Sequence, residues 1–215
     1  MSIAENSTVV RQGVDIEEFQ RFCQYAKAHP EEVQFVLEAK GSYEGRVAHS
    51  RVVMGPYTLG GQRFDRLARQ YVHHMGAHKE VEQALGFTEP TDREEAMEVA
   101  LAALTACINT AVSGSAVARG IELSRLETRV SIGWNPFVFL HLREPDEDGH
   151  LVNQFEGLKI ELVVEGENLT ENDRAYLQAS VRRSAVYNLF TLSHRNAPVV
   201  EMASPGSRPR DTTSE

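Results

Sequence analysis

The chain has 215 residues, and its 22 lysines and arginines against 31 aspartates and glutamates give a formal net charge of −9. So acidic a chain repels a phosphate backbone, which argues against nucleic acid as a partner. Its two cysteines exclude a disulfide scaffold, because they allow only one bridge or two free thiols. With 41% hydrophobic and 25% charged residues, the composition is that of a globular chain, and the length predicts one large domain or one domain with appendages.

Neither targeting nor membrane insertion is predicted. Residues 1–6 are polar and lack the basic start and apolar run of a signal peptide. The most apolar stretch, residues 96–108, is shorter than the roughly 20 residues that span a bilayer. We therefore expect a soluble cytoplasmic protein without a membrane partner, in a compartment where thiols stay reduced.

The first predicted helix follows a loose arm of residues 1–13. Asp15 can cap this helix, and Pro30 closes it. Cys23 lies on its apolar stripe, so we expect this cysteine to be a small buried hydrophobe. The stripe consists of Ile16, Phe19, Phe22, Cys23 and Ala26.

Alternating apolar and polar residues predict β structure in the next segment. One strand begins at residue 33, residues 41–45 form a turn, and residues 46–54 return as the second strand. Residues 67–75 are a candidate third strand. Residues 79–90 form a polar connection with one helical turn.

The strongest predicted element is a helix over residues 94–119. Its core, residues 96–107, is apolar on nearly every face, which is typical of a helix covered on all sides by sheet or by a partner subunit. Alanine is abundant there, which favours helix and permits another helix to pack closely. Gly120 fits the position after the last helical residue, where a left-handed backbone favours glycine.

Strands are predicted to resume after this helix. Alternation indicates strands over residues 126–132 and 158–164, and an apolar run indicates another over residues 137–142. Thr170 then begins a helix that continues to about residue 191. Because strands and helices are segregated along the chain, we predict an α+β fold.

The C-terminal end is predicted to contain one short strand over residues 198–202. Residues 204–215 are rich in serine, proline, arginine and threonine and have no apolar anchor. We therefore expect this tail to be disordered.

Three histidines, His73, His74 and His78, form the densest histidine group. Adjacent strand residues point to opposite faces, so His73 and His74 cannot bind one ion without a bend. A surface role is therefore favoured, and metal binding stays an open third hypothesis. Residues 55–61 lack the Lys-Ser/Thr of a phosphate loop, and the chain has no Gly-x-Ser-x-Gly motif. No cofactor is predicted.

Cys107 lies within the long helix, in the segment Ala-Leu-Thr-Ala-Cys-Ile-Asn-Thr. Composition alone favours a packing cysteine, because a reactive thiol needs a lowered pKa from a cation or a helix N-terminus. Cys107 is about three turns into its helix, so that helix dipole contributes little. The sequence does not place a cation beside it.

Two segments resemble the OsmC/Ohr family. Residues 94–120 (EEAMEVALAALTACINTAVSGSAVARG) resemble its central helix, and residues 183–188 (RSAVYN) resemble its second-helix motif. Residues 13–35 also resemble an extension of one OsmC-like branch, and together the matches cover most of residues 13–202. The resemblance implies an N-terminal arm and helix over residues 1–31 and an OsmC-like domain over residues 32–203.

The same resemblance implies an OsmC/Ohr-like α+β fold in an intertwined homodimer. Two central helices would lie back to back, wrapped by antiparallel β-sheets, with active sites at the subunit interface. Characterised members of the family reduce organic hydroperoxides. A first cysteine acts as the peroxidatic thiolate, a second resolves its sulfenic acid, and an arginine and a glutamate position the thiolate.

When the functional positions of the family are compared with this chain residue by residue, the match is incomplete. Cys107 stands at the peroxidatic position, but Ser184 stands at the resolving position and cannot form a disulfide. Met97 occupies the position of the glutamate, with Glu98 next to it and about 100° away around the helix. The family's helix-opening proline corresponds to Ala96.

The remaining candidates lie in the N-terminal half. The family arginine corresponds to Arg46, which we favour, or to Arg51, and His49 could also approach the site. Cys23 could replace the resolving thiol, but its place on an amphipathic helix argues against this. A single peroxidatic cysteine then requires an external reductant, either a small thiol or a thioredoxin-like partner.

Two main hypotheses follow. In the first, an OsmC-like homodimer reduces hydroperoxides, or has a weaker redox role in oxidative stress, with Cys107 as nucleophile, Arg46 as thiolate and peroxide stabiliser and Glu98 as a displaced orienter. In the second, the chain keeps the fold and binds a small apolar ligand at the dimer interface without catalysis. The residues expected to line that site are Met97, Leu101, Phe137, Phe139, Ser184 and Tyr187.

Overall fold

The computed structural model describes residues 9–65, 71–146, 155–192, 200 and 202. Its first elements are a small hairpin, one helix and a 3₁₀ turn: β1 (Val10–Arg11), β2 (Val14–Asp15), α1 (Ile16–Ala28) and Pro30–Val33. Asp15 caps α1 as predicted, accepting hydrogen bonds from the amides of Glu17 and Glu18 at 2.9 and 3.1 Å. The predicted burial of Cys23 is wrong, because α1 contacts mainly β2 and the 3₁₀ turn and buries none of its residues.

The N-terminal half contains a five-stranded sheet. Its strands are β3 (Phe35–Tyr43), β4 (Ser50–Leu59), β5 (Gln62–Phe64), β6 (Tyr71–Gly76) and β7 (Glu94–Glu95), and α2 (Lys79–Ala84) follows β6. The order is β3-β4-β6-β7, with β5 beside β4, and only the β6–β7 pair is parallel. The predicted second strand starts too early, because Gly45 and Ala48 have positive φ and residues 44–49 form a turn.

Helix α3 (Ala96–Arg119) begins and ends beside residues that cap helices. Glu95 caps it in a capping box with Glu98, and Gly120 follows it in the left-handed conformation with φ of 73°. The helix is long and apolar enough to cross a membrane by length and composition, a property that core helices of globular proteins share.

Within the chain, one face of α3 is buried and the opposite face is exposed, so the predicted burial of the remaining side by a partner subunit stays a prediction. The buried residues are Leu104, Ile108, Val112, Ser115, Ala116 and Val117. The exposed face carries small side chains four residues apart, at Ala102, Ala106, Thr110, Gly114 and Ala118. The asymmetry arises because β8, α4 and α5 all contact the buried face.

The C-terminal half contains a two-stranded antiparallel sheet, β8 (Arg125–Trp134) and β9 (Phe155–Glu165). The third strand predicted over residues 137–142 is wrong. The amide of Leu140 donates to the carbonyl of Pro136, and the amide of Phe137 donates to the side chain of Asn135. The Asn-Pro pair therefore begins a series of turns, in which asparagine and proline are favoured.

The helix predicted from Thr170 to residue 191 is broken. It consists of α4 (Glu171–Ser180), a 3₁₀ turn (Val181–Arg183) and α5 (Ala185–Thr191), with Ser184 at the junction. The core lies where these segments meet α3 and β8–β9, and it contains Leu104, Ile108, Val112, Ala116, Ile121, Leu177 and Val181. The mixed arrangement of helices and sheets confirms the α+β prediction.

Two predictions on the C-terminal end cannot be compared with the structure. Of the strand predicted over residues 198–202, only residues 200 and 202 are described, and neither is in a strand. The tail of residues 204–215 lies outside the described residues.

Candidate thiol site

Cys107 occupies the middle of α3, next to the fully buried Ile108, and its side chain is partly exposed. The position of the sulfur is determined by the long helix, which is anchored beside it. Thr128 of β8 donates a hydrogen bond to the amide oxygen of Asn109 at 2.6 Å. The sulfur is therefore carried on a rigid element while part of its surface stays open to solvent.

The 3₁₀ turn and α5, on either side of Ser184, contact α3, the helix that carries Cys107. Three polar groups at this break lower the pKa of the thiol: the Ser184 hydroxyl and the backbone amides of Ala185 and Val186. Burial raises the pKa of the Cys107 thiol, but the hydrogen bonds from Ser184, Val186 and Ala185 outweigh it and hold the pKa below its ordinary value. The thiolate, which is the nucleophilic form, is thereby favoured.

The donors around Cys107 are themselves held in place. Ser184 is 1% exposed, and its Oγ accepts a hydrogen bond from the amide of Tyr187 at 3.1 Å. The amide of Ser184 donates to the carbonyl of Val181 at 3.0 Å. Val186 and Tyr187 pack against the hydrophobic core. The geometry of the donors is therefore enforced by packing behind them.

The groups that shift the pKa of Cys107 are all uncharged, although an arginine was expected there. Arg46 lies in the turn between β3 and β4, where its guanidinium stands 5.3 Å from the centroid of the Phe87 ring. Its carbonyl accepts a hydrogen bond from the amide of His49 at 3.0 Å. None of the contacts described for Arg46 involves Cys107, so the two predicted residues are not brought together within one protomer.

The side chain of His49 also has a partner other than Cys107. It is 2% exposed and donates from Nε2 to Oε1 of the fully buried Glu82 of α2 at 2.6 Å. The other carboxylate oxygen of Glu82 accepts the amide of Thr91 at 2.7 Å. This pair joins the turn before β4, helix α2 and the segment that precedes β7.

Glu98 lies in the first turn of α3, nine residues before Cys107 and therefore about 13 Å away along the helix axis. Its carboxylate contacts His78 Nε2 at 3.0 Å and closes the capping box by accepting the amide of Glu95. The hydrogen bond to His78 is the main cause that lowers the pKa of Glu98. Met97, at the neighbouring position, is partly buried. Neither side chain can orient Cys107 directly within its own protomer.

The three neighbouring histidines contact three different carboxylates. His73 pairs with Glu94 at 2.9 Å, and His74 pairs with Glu44 at 3.0 Å. His78 pairs with Glu98, so no two of the three histidines share a carboxylate among the described residues. This arrangement does not gather the three imidazoles on one ion. A separate exposed loop brings the candidate ligand atoms of His29, Glu31 and Glu32 within 4.8 Å of one another.

The residues predicted to line a ligand site are dispersed. Phe137 and Phe139 lie in the turns after β8 and are 46% and 49% exposed. Leu101 is partly buried on α3. Tyr187 alone among them lines a groove of about 690 Å³ between β9 and α4. The other residues of this groove are Ile160, Leu162, Val164, Arg174, Ala175, Gln178, Ala179, Val181 and Arg182.

Sequence reasoning missed Ala185 and Val186, because both act through backbone amides and their side chains carry no signal. One available signal was the serine at position 184. Serine is a favoured N-cap, and an N-cap within an apparently continuous helix indicates a break that exposes amide donors.

No family model matches the chain, and no curated protein matches it. Among solved structures, the chain is similar to an organic hydroperoxide resistance protein OsmC from Legionella pneumophila, at 13% identity and a TM-score of 0.45, with 73% of this chain and 89% of that chain covered. It is also similar to an OsmC-like protein from Mycoplasma pneumoniae, at 14% identity and a TM-score of 0.42, covering 73% and 86%. It is similar as well to the organic hydroperoxide resistance protein OhrB of Bacillus subtilis, at 14% identity and a TM-score of 0.41, with 73% of this chain and 90% of that chain covered.

Proposed function

We infer that the protein is a single-cysteine thiol peroxidase that reduces organic hydroperoxides at Cys107. The observation that carries this proposal is the surroundings of the sulfur: a partly exposed thiol whose pKa is lowered by three fixed hydrogen-bond donors. The sequence resemblance around residues 94–120 supports a hydroperoxide as the substrate.

The chemistry proceeds in two stages. The Cys107 thiolate attacks the terminal oxygen of the hydroperoxide, so that an S–O bond forms while the O–O bond breaks. The sulfur loses two electrons to the peroxide and becomes a sulfenic acid, and the leaving alkoxide takes a proton from solvent to give the alcohol. An external thiol then displaces water to form a mixed disulfide, and a second thiol releases Cys107 with formation of the external disulfide.

An external reductant is part of the proposal because Cys23 lies exposed on α1, which makes no extensive contact with α3 or α5. Ser184, next to the sulfur, has no thiol. The amides of Ala185 and Val186 remain available to hydrogen-bond the sulfenate oxygen after the first stage.

The working unit is proposed to be a homodimer. The exposed face of α3 carries small residues at every fourth position, which lets a second helix approach closely. Large apolar side chains are also exposed on the outer strand β3, where Phe35, Val36 and Leu37 are 59%, 48% and 76% exposed. A second copy of the chain would cover such apolar surface.

The proposal is tested with cumene hydroperoxide and a small dithiol. Parent protein is expected to consume the peroxide and to gain one oxygen on Cys107 when the dithiol is omitted. Cys107→Ser is expected to lower the rate by a factor on the order of 100 or more, because the nucleophile is removed.

Cys23→Ser is the matched control, since it removes the other thiol and is expected to leave the rate unchanged. If Cys107 of the parent stays reduced at millimolar peroxide, or if Cys23→Ser loses activity as Cys107→Ser does, the proposal is wrong.

Ligand binding without catalysis is the second candidate, and the groove between β9 and α4 is the observation that favours it. Ile160, Leu162 and Tyr187 contribute apolar and aromatic surface to it, and Arg174 and Arg182 also line it. A ligand held there would raise the melting temperature of the parent and of Cys107→Ser equally, whereas peroxide reduction requires the sulfur.

A further inference from the structure

We propose that the groove between β9 and α4 binds an aliphatic carboxylate, with the anionic head on Arg182 and the apolar tail along β9. This inference names the class of ligand for the groove of the second candidate function, and it rests on that candidate rather than on the reactivity of Cys107. The ligand is bound and not consumed, so the proposal contains no chemical step.

The strand side of the groove suits an apolar tail. Ile160, Leu162 and Val164 alternate along β9, so their side chains project from one face of the strand. All three pack against the core and are still partly exposed. From the first to the last they span roughly 13 Å. Such a strip fits an extended alkyl chain, which leaves water favourably in proportion to the area that is covered.

The helix side of the groove leaves room for this tail. Ala175 and Ala179 are one helical turn apart on α4, and both are exposed and line the groove. The space between them and the strand is part of a groove of about 690 Å³, which is within the size range of sites for small molecules. A larger side chain at either alanine would occupy the space over β9.

The charged residues that line the groove are both positive, although the chain has a net charge of −9. They are Arg174 and Arg182, and no aspartate or glutamate of the described residues joins them in the lining. Arg174 already has partners, since its Nη1 donates to the carbonyl of Val164 at 3.1 Å and its Nε lies 3.9 Å from Glu171. The groove therefore favours an anion and leaves Arg182 to bind it.

Arg182 is the unpaired cation of the groove. It is exposed, and within the part of the chain that the structure describes its guanidinium makes no hydrogen bond or ion pair. About two helical turns separate it from Arg174, so the two arginines lie at different ends of the groove. A guanidinium pairs with a carboxylate through two parallel hydrogen bonds. One carboxylate at the Arg182 end, with its tail directed along β9, satisfies both the charge and the apolar strip.

The test is isothermal titration calorimetry of the full chain with decanoate, octanoate and octanol. Octanoate is expected to bind about tenfold more weakly than decanoate, because it buries two methylene groups fewer. Octanol has the tail of octanoate without the charge and is expected to bind at least tenfold more weakly than octanoate. Equal affinities of decanoate and octanoate would overturn the proposal. Octanol binding as tightly as octanoate would overturn the class of ligand and leave ligand binding without catalysis standing.

Arg182→Gln removes the cation and keeps a polar side chain, and we expect it to weaken decanoate binding about tenfold. Ala179→Leu fills the space opposite β9 and is expected to weaken binding by a comparable factor. Arg183→Gln is the matched control, because this neighbouring arginine is exposed but does not line the groove, and it should keep the parent affinity. An unchanged affinity in Arg182→Gln, or an equal loss in Arg183→Gln, would overturn the proposal.

The same titrations separate this proposal from peroxide reduction. Cys107→Ser is expected to bind decanoate as the parent does, because Cys107 does not line the groove. Decanoate binding by a parent that is inert to hydroperoxide would overturn the peroxidase function and leave the ligand of the groove standing. Absence of decanoate binding in a parent that reduces hydroperoxide would overturn only the ligand of the groove.

Discussion

Cys107 and Cys23 are both free thiols on helices, but the groups around the two sulfurs differ. Cys23 lies on α1, a helix with no buried residue, whereas Cys107 faces a hydroxyl and two amides held by the core. The donors that matter at Cys107 come from a segment almost 80 positions later in the chain. The chemistry of this thiol is therefore a consequence of tertiary structure around one residue.

Glu82 supports a prediction about acid stability. Burial raises the pKa of this carboxyl, but the amide of Thr91 and His49 outweigh it and hold the pKa below its ordinary value. A carboxyl with a lowered folded-state pKa stabilises the fold above its unfolded pKa of about 4.3, and this contribution is lost as pH falls through the folded value. We therefore expect the free energy of unfolding of the parent protein, measured in urea, to fall steeply below about pH 4.

Glu82→Gln should be less stable than the parent at pH 7, and the difference should shrink on acidification, because the charge that is lost to acid is already absent. Glu80→Gln, an exposed change on the same helix, is the control and should follow the parent. A parent and a Glu82→Gln variant with equal stability at pH 7 would contradict this account of the buried pair.

At the scale of elements, the sequence predicted α3 well and the α4–α5 segment poorly. Helix α3 has an alanine-rich core, an acidic cap and a terminal glycine, and each local signal agrees with the fold. The α4–α5 segment contains apolar residues compatible with one helix, yet Ser184 caps a new helix there. The competition between continuing a helix and restarting it is decided by packing on α3, which no local pattern reports.

Burial was the weakest part of the sequence predictions. The amphipathic stripe of α1 predicted a buried Cys23, which is exposed. The apolar core of α3 predicted burial by sheet or by a partner subunit, and the chain itself covers only one face of the described helix. A pattern shows that a face is apolar, but it does not show which element covers that face. For the candidate residues Arg46 and Glu98 the contacts within the chain are with Phe87 and His78, which no local pattern predicts.

The whole molecule has a one-sided core. Of the 18-residue apolar window in α3, 28% is buried, and the small residues of its opposite face are exposed. An apolar helix in the middle of a chain is stabilised by contacts on both sides. The proposed homodimer through α3 would cover the other side.

Static light scattering should therefore report a particle of twice the 24.0 kDa chain mass at micromolar concentration. Ala106→Glu places a charge in the middle of the exposed face and is expected to weaken association by a factor on the order of 100 or more, because the carboxylate would be desolvated. Ala28→Glu makes the same change at the exposed end of α1 and should leave the mass unchanged. A monomeric parent would contradict the proposed dimer.

Cys107 is proposed to be a nucleophile whose thiolate form is favoured by its surroundings, and the most direct test is the alkylation rate of parent Cys107 as a function of pH. Cys23 provides an internal comparison, because the two thiols are carried on separate peptides. We predict that the Cys107 rate reaches half of its maximum below pH 8.5, because Ser184, Val186 and Ala185 lower the thiol pKa from its ordinary value of about 8.5. A half-maximum at or above that value would contradict it.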